Sequence, residues 1–236
     1  MSFEYNEIFT KEKLDLYLKE LAKEYRKLGG KNMPAEIILI GGAAIVAHYN
    51  FREMTTDIDA VIQAMSSMKE AANHVSDNWI NDDFKKTTSY SPKLSQYSVY
   101  YKSFYGVLSV RVISAEYLIA MKLKAGRQYK KDLSDIAGIL VEHASRGNPI
   151  EQEQIITAII NLYGTTEAIS NDAMQFLAHI LQEENYKDVY ETVLKEEAAN
   201  RELLLDFQEV YPNTVREENA DNIIALLREK KQQGPE

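Results

Sequence analysis

The chain has 236 residues, 45% of them hydrophobic, and a formal net charge of −9 at pH 7. It is long enough to bury a full core, and we expect one domain with an appendage. The acidic balance argues against a protein that coats nucleic acid non-specifically, although a narrow basic groove could still hold an RNA end. The absence of cysteine excludes disulfides, zinc thiolate sites and a thiol nucleophile, and it fits a reducing compartment.

Membrane segments are not predicted. No apolar run approaches the roughly 20 residues that a helix needs to span a bilayer. The N-terminal stretch MSFEYNEIFTKEKL is charged and lacks the apolar core of a signal peptide. We therefore expect a soluble, cytoplasmic protein without a membrane partner.

Thr10 is predicted to be the N-cap of a first helix. Gly29-Gly30 is predicted to end this helix. Its apolar residues recur at intervals of three and four and predict one buried face: Leu14, Leu18, Leu21, Tyr25 and Leu28. The patterns that follow predict, in order, strands at 37–40 and 57–62, a helix near 66–75, a hairpin of 94–101 and 105–113, and helices at 115–124 and 132–144.

A domain boundary is predicted at residues 145–149, SRGNP, because Gly, Asn and Pro interrupt regular structure. We expect one domain over 1–147 and an all-helical C-terminal module over 148–236, where apolar residues recur at helical spacing. For this module, binding of a substrate or partner and a plain capping role both stay open.

Residues 37–62 combine an apolar strand, a glycine pair, a short helix and a second strand with two aspartates. Because side chains alternate along a strand, Asp57 and Asp59 point to one face, roughly 7 Å apart. Two such carboxylates can share Mg²⁺, which fills its other coordination sites with water and substrate phosphates. Gly41 and Gly42 would place backbone N–H groups and the positive end of a helix dipole beside those phosphates.

Each half of this pattern also has an ordinary explanation. A glycine pair often forms a tight turn, and two aspartates at this spacing occur by chance in acidic proteins. The combination is more specific, because a helix-length segment separates the pairs and Arg52, Thr55 and Thr56 precede Asp57. We therefore predict a phosphate and metal site.

A second candidate element is the run 120–136, which begins within the helix that Ser114 is expected to cap. Five cations lie within ten residues: Lys122, Lys124, Arg127, Lys130 and Lys131. Positive charge near a triphosphate offsets the negative charge that builds up during nucleotidyl transfer. The alternative is a solvated helix end, where cations meet the negative end of the dipole. Composition alone favours this alternative.

Four segments together resemble a known family: GGAAIVAH (41–48), REMTTDIDAVI (52–62), DNWINDDFKK (77–86) and SAEYLIAMKLKAGRQYKKDLSDI (114–136). They are similar to the nucleotidyltransferase-like proteins of the DUF6036 group, relatives of the abortive-infection (AbiEii) toxin nucleotidyltransferases in the polymerase-beta-like superfamily. The resemblance covers about the first 145 residues. It implies an α+β nucleotidyltransferase (polymerase-beta-like) fold, with a mixed sheet flanked by helices.

The resemblance also implies roles for single residues. Asp57 and Asp59 would bind Mg²⁺ or Mn²⁺, and four residues would bind the nucleotide beside them: Gly41, Gly42, Arg52 and Thr55. Three more nucleotide-binding residues fall on the KL…R…KD pattern of the toxin enzymes: Lys122, Arg127 and Asp132. Asp135 would hold one of these cations in place or only begin the next helix.

Two positions depart from the pattern of active enzymes. The superfamily motif is usually Gly-Ser, whereas the second position here is Gly42. Active members also take a third carboxylate from a later strand, but the strand expected at 107–113 carries Arg111 and no acid. Asp82, with Asp83 as the alternative, is our candidate for a catalytic acid that comes from a loop instead.

Two functions stay open at this point. The first is metal-dependent transfer of a nucleoside monophosphate from an NTP to a hydroxyl of RNA, including tRNA, or of a protein, with Asp57, Asp59, Asp82 and Lys122 as catalytic residues. The resemblance implies a toxin or phage-defence setting with a cognate antitoxin as partner. The second is a catalytically silent regulatory protein of the same fold that binds a nucleotide or a partner protein. The missing third carboxylate favours the second.

Overall fold

The structure is a computed structural model that describes residues 8–63, 66–75, 80–82, 93–183 and 185–233. The helices are α1 (Lys11–Lys27), α2 (Gly41–His48), α3 (Ser66–Val75), α4 (Ala115–Ala125), α5 (Asp132–Ser145), α6 (Gln152–Tyr163), α7 (Asn171–Gln182), α8 (Tyr186–Val210) and α9 (Ala220–Gln233). The strands are β1 (Ala35–Leu39), β2 (Ile58–Gln63), β3 (Ile80–Asp82), β4 (Ser98–Phe104) and β5 (Leu108–Ile113). The protein therefore has an α+β architecture.

Within the described residues, the strands form a five-stranded mixed sheet in the order β3-β2-β1-β5-β4. β1 pairs antiparallel with β2 and parallel with β5, and β4 and β5 form an antiparallel hairpin. β3 runs parallel to β2 at one edge. Because β1 lies in the centre and is buried on both faces, its sequence is a nearly continuous apolar run.

The chain forms two compact units. The sheet unit comprises Tyr5–Met121 and Glu151–Ala168, and the helical unit comprises Lys122–Ile150 and the chain from Ile169 onward, where these are described. Beyond Ile113 the described residues form helices and loops but no strand, in agreement with the expected helical content. The domain division after residue 147 stays a prediction, because a compact unit need not fold alone.

In the sheet unit, α1 has the start and the buried face that its sequence predicts. Thr10 Oγ1 accepts a hydrogen bond from the backbone N–H of Lys13, and Gly29 turns the chain beyond the last turn with a φ of 100°. Leu14, Leu18, Leu21 and Tyr25 of the predicted stripe are buried, whereas Leu28 is the C-cap and only partly buried. α1 contacts α3, α2 and β4. Directly before α1, Phe9 and Thr55 form an isolated β-bridge. This bridge ties the start of α1 to the segment that leads into Asp57.

The hairpin starts later than predicted. Leu94–Tyr97 forms a 3-10 turn, and the strand begins only at Ser98. The Ser95 hydroxyl donates to Glu36 at 2.6 Å, and the Ser98 hydroxyl donates to the Ser95 carbonyl at 2.7 Å. The Ser98 bond is local and offers the backbone an alternative to the sheet ladder, which fits the later start of the strand, whereas the Ser95 bond reaches a side chain on β1.

The helical unit is held together by α8, which packs against α5 and α9. Where α8 meets α9, a small apolar cluster is buried: Leu204, Val215, Ala220 and Ile224, with Tyr129, Phe207 and Ile223 against it. None of the helices in the described part of the chain has the length and apolar character needed to cross a membrane.

Glu197 on α8 caps the start of α5. Its Oε1 accepts hydrogen bonds from the backbone N–H groups of Leu133 at 2.9 Å and Ser134 at 3.2 Å. Its Oε2 is buried without a hydrogen-bond partner among the described residues. Burial raises the pKa of Glu197 to about 7, against the hydrogen bonds from Ser134 and Leu133, which lower it.

The stability of the helical unit is therefore expected to depend on pH through Glu197. Between pH 4.5, the ordinary pKa, and about 7, the folded protein keeps a proton that the unfolded chain has released. The free energy of unfolding should fall as the pH rises through this window, by on the order of 3 kcal/mol in total. Urea unfolding of the wild type and Glu197→Gln at pH 5 and pH 8 measures this effect. A difference between the two proteins that stays constant with pH would contradict it.

Candidate nucleotide and metal site

The turn from β1 into α2 brings the backbone close to a predicted metal ligand. Gly41 begins α2 with a φ of 56°, a conformation that favours glycine. A Cβ atom at this position would lie 2.5 Å from Asp59 Oδ2. Gly41 is therefore required both for the turn and for the close approach of the Asp59 carboxylate. The start of α2 and the Asp59 carboxylate therefore lie side by side.

The two predicted metal ligands lie at the start of β2. Asp57 is exposed directly before the strand, and Asp59 is partly exposed within it. The Thr55 hydroxyl donates to Asp57 Oδ1 at 3.2 Å, and the Asp59 carbonyl accepts from the Ile40 N–H at 2.9 Å. Short backbone and side-chain bonds therefore position both aspartates beside the N-terminus of α2.

The structure gives a steric reason for glycine at position 42. A Cβ atom there would overlap the Thr55 Oγ1 atom and would lie 3.0 Å from Arg52 Nη2. Thr55 is buried, and Arg52 Nε donates to the Met54 carbonyl at 3.0 Å, so the segment has little freedom to move away. The Gly-Ser pattern is therefore not compatible with Thr55, whose own hydroxyl lies beside the start of α2. The N-cap residue of α2, Ile40, makes no side-chain cap bond.

This steric argument predicts a compensating pair of substitutions. Gly42→Ala should lower the free energy of unfolding by about 1–3 kcal/mol, because the new methyl group forces Thr55 out of its place. Thr55→Ala removes the overlapping oxygen. The double variant should therefore lose less free energy of unfolding than the two single variants lose together. Urea unfolding of the four proteins measures the coupling. Strictly additive effects would contradict the overlap.

Strand β5 supplies no carboxylate to the sheet face that carries Asp59. Arg111 is in register with Ile38, and Ile38 with Val61, so Arg111 shares the face of Val61 and Asp59. Two strand spacings, about 10 Å, separate β5 from β2. The Arg111 guanidinium is bound to Ser98, with Nε 2.7 Å from the hydroxyl.

Asp82 lies on a strand and not on the expected loop. It is the last residue of β3 and is in register with Ala60, while its neighbour Asn81 is in register with Asp59. The expectation of a loop was wrong because the backbone at 80–82 takes up the hydrogen bonds that the edge of β2 offers. The catalytic role of Asp82 stays a prediction, and Asp83 lies outside the described residues. Across the described residues, no three His, Asp or Glu side chains form a metal-binding group.

The other predicted residues belong to a buried ion cluster in the helical unit. The Lys122 ammonium lies 2.8 Å from carboxylate oxygens of both Asp132 and Asp135, and Arg127 Nε lies 2.7 Å from Asp132. Burial alone would lower the pKa of Lys122, but the two carboxylates outweigh it and hold this pKa above its usual value. Asp135 thus holds Lys122 in place, one of the two alternatives left open. The nucleotide-binding roles of Lys122, Arg127 and Asp132 stay predictions.

A mixed sheet flanked by helices, with an acidic pair beside a glycine turn, is consistent with a nucleotidyltransferase-like fold. Residues 17–201 match the family DUF6036, described as a nucleotidyltransferase of unknown function, and the chain belongs to this family. The match reaches α8, well beyond the first 145 residues that the sequence resemblance covers. Neither a curated protein nor a solved structure matches the chain.

Proposed function

We propose that the protein is a metal-dependent nucleotidyltransferase that moves a nucleoside monophosphate from an NTP to an acceptor hydroxyl. The observation that carries this proposal is how closely the Asp59 carboxylate approaches Gly41 at the N-terminus of a helix: a Cβ atom added to Gly41 would lie 2.5 Å from Asp59 Oδ2. This arrangement sets a metal-binding oxygen beside backbone N–H groups that suit a phosphate. Membership of a family described as nucleotidyltransferases supports the same chemistry.

The residues present suit a hard divalent cation. Asp57 and Asp59 offer carboxylate oxygens at the accessible start of β2, and Mg²⁺ or Mn²⁺ completes its coordination with water and phosphate oxygens. Such an ion, when bound, offsets the negative charge of the triphosphate and of the transition state. The first N–H groups of α2 and the guanidinium of Arg52 would bind phosphate oxygens, and the Thr55 hydroxyl would keep Asp57 in place.

The proposed reaction is a single displacement. The acceptor oxygen forms a bond to the α-phosphorus, the bond from that phosphorus to the bridging oxygen breaks, and pyrophosphate leaves. The proton of the acceptor hydroxyl passes to a general base. The register of Asp82 with Ala60 puts this residue at a position of the opposite sheet face from Asp59, which disfavours it as that base. Gly41 keeps the α2 terminus close to Asp59, so that the phosphate and metal contacts can form together.

We further propose RNA, such as tRNA, or a protein as the acceptor, in a toxin or phage-defence setting with a cognate antitoxin. The decisive experiment is incubation of the purified protein with each labelled NTP, MgCl₂ or MnCl₂, and total cellular RNA or protein. We expect label on one class of polymer, and no label after the metal is removed with EDTA. Absence of label with all four NTPs and both metals would contradict the transferase proposal.

A catalytically silent, nucleotide-binding protein is the second candidate. One observation favours it. On the sheet face that carries Asp59, β5 presents Arg111 and the buried Ile113 and no acid. Calorimetry together with the label-transfer experiment separates the two candidates: a silent member would bind an NTP with Mg²⁺ but transfer no label to RNA or protein.

A further inference from the structure

Of the described residues that line a cup at the C-terminal end of α1, the ionisable ones are all cations. We call this cavity the basic cup. Its volume is about 530 Å³, and it is lined by Lys23, Arg26, Lys27, Gly29, Lys31 and Asn32. The whole chain carries a net charge of −9, so this grouping is opposite in sign to the average surface. The basic cup lies entirely within the sheet unit.

The shape of the basic cup follows from how α1 ends. Lys23 and Lys27 are four residues apart, so they lie on the same face of α1, about 6 Å apart along its axis. Gly29, in the left-handed conformation, then turns the chain into the 3-10 turn Gly30–Asn32, which carries Lys31. Cations from the helix and from the turn thus surround one space.

The charges of the basic cup are only partly compensated. Lys23 pairs with Glu20 at 3.1 Å, and Lys27 pairs with Glu24 at 2.7 Å, on the exposed side of the helix. Exposed pairs of this kind contribute little, so a stronger anion can replace them. Arg26 and Lys31 are exposed and have no carboxylate partner in the part of the chain that the structure describes.

Favourable interaction with the helix dipole explains only part of this cluster. It accounts for Arg26 and Lys27, which lie in the last turn of α1. It does not account for Lys23, one turn earlier, or for Lys31, which lies beyond the helix. A protein partner would also require an apolar centre, and the lining residues of the basic cup provide none.

We propose that the basic cup binds the sugar-phosphate backbone of a nucleic acid strand. Lysine binds phosphate as a point charge, and the planar arginine fork suits two phosphate oxygens. The 17 residues of α1 span about 25 Å, and Phe9, before its first turn, pairs with Thr55. The basic cup therefore lies about one helix length from the segment leading into Asp57, and would hold an RNA acceptor at a distance from its reacting end. Only this last role rests on the proposed function.

The test measures binding of a labelled 20-nucleotide RNA to the full chain by fluorescence anisotropy, without any NTP. The variant Arg26→Gln/Lys31→Gln removes the two cations of the basic cup for which the described residues supply no carboxylate partner. The matched control, Lys11→Gln/Lys19→Gln, removes two exposed cations from the same helix outside the cup. We expect the cup variant to bind about tenfold more weakly. The plot of the logarithm of the association constant against the logarithm of the salt concentration should become less steep by about 1.4, as expected for two lost phosphate contacts on a single strand. The control should keep the wild-type slope.

Other results would overturn the proposal. These are an equal loss of affinity in both double variants, no measurable RNA binding by the wild type, or displacement of RNA by polyglutamate at equal charge concentration. Equal binding of a DNA strand of the same sequence supports recognition of the backbone. Transfer activity with unchanged RNA binding in the cup variant would refute this proposal alone, whereas cup-dependent binding without transfer would refute the proposed enzyme alone.

Discussion

Replacing Asp59 by Asn is expected to lower nucleotidyl transfer by at least about 100-fold, with the fold retained. The substitution keeps the shape of the side chain but removes one charge from the pair that would bind the metal. The carboxylate approaches the α2 terminus so closely that a Cβ atom at Gly41 would be 2.5 Å from Oδ2. Under the proposed mechanism, a charge at this place would be aligned with the phosphate before reaction, and losing one aligned electrostatic contact typically costs a factor of about 10²–10³.

Calorimetry should show the same substitution weakening the Mg²⁺-dependent binding of an NTP. Glu53→Gln is the matched control, because it removes an exposed negative charge from the same segment without altering the pair. We expect the control to behave as the wild type in transfer and in binding. Equal Mg²⁺-dependent binding in Asp59→Asn and the wild type would remove the argument for a metal site.

Replacing Lys122 by Met is expected to lower the free energy of unfolding by about 3–5 kcal/mol. The Lys122 ammonium is 2.8 Å from Asp132 and 2.8 Å from Asp135, and all three residues are buried. Without the lysine, Asp135 loses this partner inside the helical unit, while Asp132 keeps Arg127. Removing one partner of a buried ion pair lowers the free energy of unfolding by more than the intact pair contributes, because the remaining charge stays desolvated.

Lys124→Met serves as the control, since Lys124 is exposed on the same helix and should change the free energy of unfolding by less than about 0.5 kcal/mol. Adding Asp135→Asn to Lys122→Met should recover part of the lost stability, because the buried charge is then removed. Urea unfolding followed by circular dichroism measures all four proteins. Similar effects of the two lysine substitutions would mean that the ion cluster contributes nothing. A test of Lys122 in transfer is informative only where its variant remains folded.

The local elements of this protein follow from short-range sequence patterns. The cap at Thr10, the glycine stop after α1 and the apolar stripe between them predicted the first helix, since each signal acts within one or two turns. The acidic pair and Gly41 were recognised for the same reason: the alternation of a strand and the turn into a helix are local properties. The family match supports the nucleotidyltransferase relation that these segments suggested.

The contacts between distant residues were decided only by the tertiary structure. The overlap of position 42 with Thr55 depends on how the segment before β2 returns to α2, and the pairing of Lys122 with Asp135 depends on how α4 and α5 meet. Asp82 was expected on a loop because a three-residue strand has no periodic signal of its own; its hydrogen bonds come from the edge of β2. The sequence by itself thus determined the elements and the residue types of the candidate site. The tertiary structure decided which charges are buried and which backbone atoms lie close together, because both depend on neighbours far apart in the chain.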